Sequence, residues 1–187
     1  MATTRDVAVL IGSLRRESFT RKIARALAEV APPSLAFEIV EIGQLPLFNQ
    51  DLESAQTPAE WVAFRERIRR ADALLFATPE HNRSVPAALK NAIDVGSRPF
   101  GQSVWQGKPG AIVSVSPGPT GAFGANHHLR QSFVFLDVRV MQSPEAYIGR
   151  VIDVLDESGK VTNPKTREFL ASFARAFAAW IDVQAGR

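Results

Sequence analysis

Short apolar runs alternate with amphipathic stretches along most of the chain, and this alternation restricts the fold more than any other feature. The apolar runs have the length and composition of buried strands, and they cover residues 7–11, 37–42, 73–77 and 111–115. Between them, apolar residues recur at helical spacing, as Trp61, Phe64 and Ile68 do. Strands that alternate with helices in this way predict βα units around a parallel sheet.

Proline and glycine mark where these elements end. The first helix, which carries Ile23 and Leu27, ends before Pro32-Pro33, and Pro86 opens a later helix. A short fifth strand is predicted around 138–141, and a last helix has an aromatic stripe at a four-residue step, formed by Phe169, Phe173, Phe177 and Ile181. Residues 149–163 are the least regular segment and are predicted to form a hairpin or an excursion at the sheet edge.

Five strands in this order fit an α/β, flavodoxin-like fold with a five-stranded parallel sheet, strand order 2-1-3-4-5, and helices on both faces. No linker or repeat divides the chain, so residues 1–187 are expected to form a single domain. In such a sheet a ligand binds at the carboxyl ends of the strands. The loops to examine are therefore 12–20, 79–84 and 116–124.

Composition excludes several classes of function. The 22 Lys and Arg against 19 Asp and Glu leave a formal charge of only +3, which favours small anionic nucleotides over nucleic acid as partners. The chain has no cysteine, no apolar run long enough for a membrane span, and no signal-peptide pattern at its start, so a cytoplasmic location is expected. Adjacent His127 and His128 would point about 100° apart on a helix, so no metal site is predicted.

The first of the three loops has the residue types of a phosphate site. Ser13, Arg15, Ser18 and Thr20 lie between the first strand and the first helix, where free amides and the helix dipole favour an anion. The loop is neither a P-loop nor a GxGxxG fingerprint. By itself it is equally compatible with Ser18 capping the helix and the arginines being solvated. Its position at the end of the first strand favours phosphate.

The segment after the third strand makes the prediction of the ligand site more specific. It reads Pro-Glu-His-Asn-Arg-Ser-Val-Pro from Pro79 to Pro86, followed by Leu-Lys-Asn-Ala-Ile-Asp from Leu89 to Asp94. Together with Gly-Ser-Leu-Arg at 12–15, it resembles the NAD(P)H-dependent FMN reductase family, also known as chromate or quinone reductases. The resemblance extends to His128-Leu129-Arg130-Gln131 and so covers most of the chain.

The resemblance implies a set of FMN-binding residues. The phosphate positions match Ser13, Arg15, Ser18, Phe19 and Thr20. The loop along the isoalloxazine ring matches Pro79, Glu80, His81, Asn82 and Ser84. The loop on the other side of the flavin matches Ser116 and Gly118. No protein residue is expected to act as a catalyst, because the flavin carries the chemistry.

Two departures from the family pattern bear on the acceptor. His81 stands where the family usually has tyrosine, and Pro117, Pro119 and Ala122 interrupt a loop that is often richer in glycine. An imidazole offers less stacking surface and titrates near neutrality, so His81 is expected to make activity depend on pH. The hypothesis predicts a changed rate profile between about pH 5.5 and 8 in His81→Tyr; an unchanged profile would contradict it.

The resemblance implies an NAD(P)H oxidoreductase that passes electrons through FMN to quinones or similar acceptors, with free flavin, azo compounds and chromate as further candidates. It also implies a homodimer or tetramer. The alternative is a non-catalytic FMN electron carrier, which would share the phosphate loop, although such carriers are usually acidic. A receiver-like signalling domain is disfavoured, because Gly12-Ser13 and Thr78-Pro79 occupy the places where it needs acidic residues.

Overall fold

Six strands and five α-helices alternate within residues 4–53 and 56–186, which the computed structural model describes. The strands are β1 (Arg5–Ile11), β2 (Leu35–Val40), β3 (Ala73–Thr78), β4 (Pro109–Val115), β5 (Arg139–Val140) and β6 (Ala146–Ile148). The helices are α1 (Phe19–Glu29), α2 (Ala59–Arg70), α3 (Ala87–Gly96), α4 (Phe123–Leu136) and α5 (Pro164–Ala185). Two short 3₁₀ helices cover Gln50–Glu53 and Val151–Val154.

All strand pairs in the sheet are parallel, and the order β2-β1-β3-β4-β5 confirms the flavodoxin-like prediction. The predicted count of five strands is wrong, because β6 pairs with β4 through Val113–Ala146 and Val115–Ile148. The last position of the sheet is thus shared by two short strands: β5 lies beside the start of β4 and β6 beside its end. The predicted edge excursion follows β6, where an antiparallel bridge joins Leu155 to Val161.

Helices cover both faces of the sheet, as the continuous apolar runs of β1 and β3 require. On one face α1 and α5 pack against side chains of the sheet such as Val9, Leu75 and Val113. On the other face α2, α3 and α4 pack around Trp61, Phe76 and other aromatic residues. No helix in the described parts of the chain combines the length and the apolar character that crossing a lipid bilayer requires.

Local signals set the ends of the helices that border the site. The Ser18 hydroxyl accepts a hydrogen bond from the Arg21 amide at the start of α1. Pro86 precedes α3, and Asn163 caps α5 through the Thr166 amide. Because β1 connects to strands on its two opposite sides, the loops after β1, β3 and β4 open onto one edge at the switch point of the sheet.

Candidate functional site

The loop after β1 touches the loop after β3, as their neighbouring strands require. A Cβ atom on Gly12 would lie 3.2 Å from the side chains of Thr78 and Pro79. The absence of a side chain at Gly12 therefore lets the two loops approach each other. Their adjacency places the predicted phosphate residues beside the Pro79–Ser84 segment.

Several hydrogen-bond donors in the loop after β1 have no acceptor within the described residues. The amides of Phe19 and Thr20, in the first turn of α1, donate to no acceptor among the described residues. The side chains of Ser13 and Thr20 are buried, with exposures of 8% and 2%, yet neither hydroxyl has a hydrogen-bond partner in the described chain. Among the described residues, the side-chain atoms that are both buried and unpaired are Arg67 Nε and Gln184 Nε2, so the Ser13 and Thr20 hydroxyls are not sealed from solvent and remain open to a ligand.

Arg15 adds a positive charge beside these donors. Its guanidinium carbon lies 5.8 Å from the ring centroid of Phe19, whose side chain also packs against the apolar cluster beneath α1. A cation held against an aromatic face retains its hydrogen-bond donors for a ligand. Hydroxyls, free amides and a guanidinium at a helix start form a donor set that suits a phosphate group.

The loop after β3 is folded by its own backbone. His81 and Ser84 exchange two backbone hydrogen bonds, of 3.1 and 2.9 Å, around Asn82 and Arg83. Both central residues have positive φ, 51° and 64°, as in a type I′ turn. The His81 side chain is exposed and takes no part in these bonds. The turn is therefore compatible with histidine or tyrosine at position 81.

Side chains fix this turn to the start of α4. The Glu80 carboxylate accepts a hydrogen bond of 3.2 Å from the Ala125 amide, and the Ser84 hydroxyl lies 3.0 Å from His128 Nδ1. Ala122, the cap residue of α4, offers no side-chain acceptor, so Glu80 supplies the negative group that the helix start favours. Glu80 thus has a local hydrogen-bonding role that joins the turn after β3 to the start of α4.

The loop after β4 is attached to a different part of the chain. Arg150 and Val151 donate backbone hydrogen bonds to the carbonyls of Gly118 and Ser116, and the Ser116 hydroxyl bonds the Gly118 carbonyl. A Cβ on Gly118 would meet only Ser116 Oγ, at 3.8 Å, so Gly118 leaves room for another molecule. No hydrogen bond within the described residues joins Ser116 or Gly118 to the other two loops.

An aromatic and acidic cluster, absent from the sequence-based prediction, borders this third loop. Tyr147 donates a 2.7 Å hydrogen bond to Glu145, and His127 Nε2 lies 3.1 Å from the Tyr147 hydroxyl. Phe123 packs beside both rings. Burial, and then the bond to Glu145, raises the pKa of Tyr147 to about 12, so the phenol stays protonated at neutral pH. The cluster joins residues about 20 positions apart, which no local pattern indicates.

Other polar residues singled out in the sequence have structural partners. His127 and His128 contact Tyr147 and Ser84 respectively, and no group of three or more potential metal ligands occurs among the described residues. Lys90 forms an ion pair with Asp94 one turn along α3, at 2.7 Å. Arg65 is buried and bonds Glu53 and the Val95 carbonyl, while Arg67 binds Asp6 and Glu38.

Comparison with known proteins gives consistent matches. The model of a family described as NADPH-dependent FMN reductase matches residues 5–153. The chain is 63% identical to a quinone reductase of Pseudomonas putida over 181 residues, which cover 97% of both proteins. It is 47% identical to a 2-hydroxy-1,4-benzoquinone reductase of a Burkholderia species, over 94% of this chain and 95% of that protein. A solved flavoenzyme, the NAD(P)H:(acceptor) oxidoreductase of Paracoccus denitrificans, superposes with a TM-score of 0.91 at 40% identity, over 97% of this chain and 99% of that one.

Proposed function

Since the chain belongs to the NADPH-dependent FMN reductase family, we propose that its three loops hold FMN and that it reduces quinones at that site. The chain is an enzyme, an FMN-dependent NAD(P)H oxidoreductase with quinones as acceptors. This agrees with the function expected from the sequence and sets aside the non-catalytic carrier. The residues that bind the cofactor are the part proposed here.

The unpartnered donors of the first loop carry the assignment. Ser13, Thr20 and the first amides of α1 would hold the FMN phosphate, with Arg15 adding charge and Ser18 ordering the helix start. Phe19 would act through Arg15, whose guanidinium lies over its ring. The Ser18 hydroxyl already caps α1, but the hydroxyls of Ser13 and Thr20 and the first amides of α1 have no hydrogen-bond partner among the described residues, so phosphate would pair with them without displacing a protein contact.

The other two loops would line the ring system of the flavin. Pro79, Glu80, His81, Asn82 and Ser84 would form one wall, where the turn presents backbone groups that are already fixed. Ser116 and Gly118 would form the other, since Gly118 leaves space for a planar ligand. Because these two walls would not rearrange on binding, less free energy would be lost in ordering the site each time one of the two substrates binds against the ring.

When bound in the three loops, FMN would supply the two-electron chemistry between the reduced nicotinamide and the acceptor. The chain's residues position and shield the reactants in this reaction. Tyr147 stays protonated at neutral pH and Glu80 is committed to α4, so neither is arranged as a general base. A single pocket used by both substrates predicts ping-pong kinetics. Intersecting double-reciprocal lines with NADPH and a benzoquinone would argue against a shared pocket.

The direct test is a flavin titration. Purified protein is mixed with FMN, its visible spectrum is recorded, and NADPH is added without oxygen, followed by 1,4-benzoquinone. We expect a protein-bound flavin spectrum, its bleaching by one equivalent of NADPH, and its recovery on adding the quinone. A protein that leaves FMN free in solution would overturn the proposed site.

We further propose that residues 1–187 form one domain and that the protein is a cytoplasmic homodimer, two of which can pair into a tetramer. The exposed side chains of Phe100, Val134 and Phe135, at 87%, 84% and 86%, supply an apolar surface of the kind that subunits cover. Cytoplasm is proposed because reduced nicotinamides are supplied there. Light scattering after size exclusion gives the subunit number, limited proteolysis the number of domains, and cell fractionation the location.

A further inference from the structure

A groove with a volume of about 330 Å³ begins at residues 16–18 of the loop after β1 and runs along the solvent side of α1. One side is a stripe of α1 that includes Ser18, Arg21, Arg25 and Glu29, at the three- and four-residue steps of one helix face. The other side is the turn 158–161 before α5. This volume is at the lower end for small-molecule clefts and suits part of a dinucleotide.

The groove is strongly positive. Five of its lining residues are Lys or Arg and two are Glu. Two of the cations are neutralised, Arg21 by Glu41 at 2.7 Å and Lys22 by Glu17 at 2.8 Å. The other three form no salt bridge with any described residue, and they are Arg16, Arg25 and Lys160. Glu29, at the far end of the stripe, is the remaining acidic group.

The turn that carries Lys160 is ordered by its own hydrogen bonds and packs against Lys22 of α1. Asp156 uses its carboxylate to bind the Ser158 hydroxyl and the Lys160 amide, at 2.7 and 2.9 Å, so its charge stabilises the turn. Gly159 has φ of 81°, and a Cβ there would lie 2.7 Å from Lys22 Cε. The backbone of Lys160 is therefore ordered within the turn, while its ammonium group forms no salt bridge with a described residue and remains available to a ligand.

Ser18 connects the groove to the proposed flavin site, because it lines the groove and also caps α1 at the end of the phosphate loop. A dinucleotide whose nicotinamide reaches the flavin can thus continue past Ser18 along α1. NADPH carries a phosphate on its adenosine ribose that NADH lacks, and guanidinium and ammonium groups are the usual partners of phosphate.

We propose that Arg16, Arg25 and Lys160 bind the 2′-phosphate of NADPH, so that the enzyme prefers NADPH to NADH. This rests on the proposed function, since it takes reduced nicotinamide to act at the flavin. The assignment adds a second anion site, separate from Ser13 and Thr20.

Calorimetric titration of the FMN-loaded protein with adenosine 2′,5′-bisphosphate, adenosine 5′-diphosphate and inorganic phosphate tests the proposal without turnover. We expect the 2′,5′-bisphosphate to bind at least about tenfold more tightly than either of the others. Arg25→Gln and Lys160→Gln should each weaken it about tenfold, since each removes a charged hydrogen bond. Arg70→Gln, the same change in charge on α2 across the sheet, should have no effect.

Kinetics gives a second readout. In Arg25→Gln and Lys160→Gln, KM for NADPH should rise with kcat retained, while KM for NADH stays constant. If adenosine 5′-diphosphate or inorganic phosphate bound as tightly as adenosine 2′,5′-bisphosphate, the assignment to the 2′-phosphate would be overturned, as it would be by unchanged binding in both variants. The flavin spectrum of each sample separates these results from a failure of the flavin site, which would show as free FMN.

Discussion

The loop after β1 and the loops after β3 and β4 border the same edge of the sheet, but they use their polar groups in opposite ways. In the first loop, the hydroxyls of Ser13 and Thr20 have no partner in the described chain. In the other two, Glu80, Ser84 and Ser116 are bonded within the protein. The hydroxyls of the first loop thus remain available to a ligand, whereas the polar side chains of the other two loops hold those loops in their conformation. Substitutions in the first should change ligand affinity, and substitutions in the others should change stability.

The largest effect is expected at Gly121, in the loop after β4. Its φ is 60°, and a Cβ there would lie 2.7 Å from the backbone carbonyl carbon of Tyr147. Gly121→Ala should therefore lower the free energy of unfolding by about 3 kcal/mol, through backbone strain and a clash that only backbone movement can relieve. Urea denaturation of the flavin-free protein measures it.

Gly118→Ala is the matched control in the same loop. Its Cβ would enter open space and Gly118 has no positive φ, so the loss should stay under about 1 kcal/mol. If the two substitutions destabilise the protein equally, the loop after β4 is not set by the close approach of Gly121 to Tyr147.

The next effect concerns Glu80, which links the turn after β3 to α4. Glu80→Ala should cost about 2 kcal/mol, because the Ala125 amide loses its acceptor and the helix start loses a negative charge. Glu80→Gln keeps an acceptor and should cost about 1 kcal/mol. Thermal and urea unfolding measure both. Lys90→Ala, which removes a surface ion pair, should cost no more than about 0.5 kcal/mol.

FMN affinity should fall only modestly in the Glu80 variants, following the loosening of the turn. A variant that unfolds like the wild type and yet loses FMN would place Glu80 in contact with the ligand. That result would mean that Glu80 binds the ligand directly, as is proposed for Ser13, in addition to holding the turn.

Ser13 tests the opposite side of the comparison. Ser13→Ala should weaken FMN binding about tenfold, since one hydrogen bond to a charged phosphate is lost. The flavin-free protein should keep its unfolding free energy within about 0.5 kcal/mol, because the hydroxyl has no partner in the described chain. Ser18→Ala is the contrast: the Ser18 hydroxyl caps α1, so its loss should destabilise the flavin-free protein by about 1 kcal/mol. Fluorescence quenching of FMN gives the affinities.

The same difference explains what the sequence could predict. The residue types of the first loop indicate a phosphate site once the loop is placed at the end of β1, because hydroxyls and arginines at a helix start are a local pattern. The buried strands are equally local, since residues 7–11 and 73–77 are apolar throughout. The construction of the other loops depends on distant partners. Glu80 meets Ala125 from 45 positions away, and no spacing in the sequence indicates that contact.

Strand β6 was missed for a related reason. Three residues, Ala146–Ile148, are too few to show a strand period, and they become a strand only because the end of β4 offers free backbone groups that β5 leaves unpaired. The sequence also could not predict the groove on α1, because the groove forms only when Lys160 lies beside a helix more than a hundred residues earlier in the chain. Residue types predicted the ligand chemistry, and tertiary contacts determined the shape around it.

The smallest effect is expected at Glu41, where the dependence of stability on pH separates a charge interaction from packing. Arg21 on α1 binds Glu41 with two hydrogen bonds, of 2.7 and 2.8 Å, and this bonding lowers the pKa of Glu41 below its ordinary value of 4.5. A lowered folded pKa stabilises the protein fully above the unfolded value, and the contribution is lost as pH falls through the folded value. The Glu41 side chain is 64% exposed, so screening should limit this contribution to stability to less than about 1 kcal/mol.

Glu41→Gln should therefore be slightly less stable than the wild type at neutral pH and equal to it in acid, as urea unfolding at both pH values would show. The deficit of Gly121→Ala is steric and should not change between the same two pH values. A Glu41→Gln deficit that persisted in acid would mean that packing, and not charge, joins α1 to the end of β2.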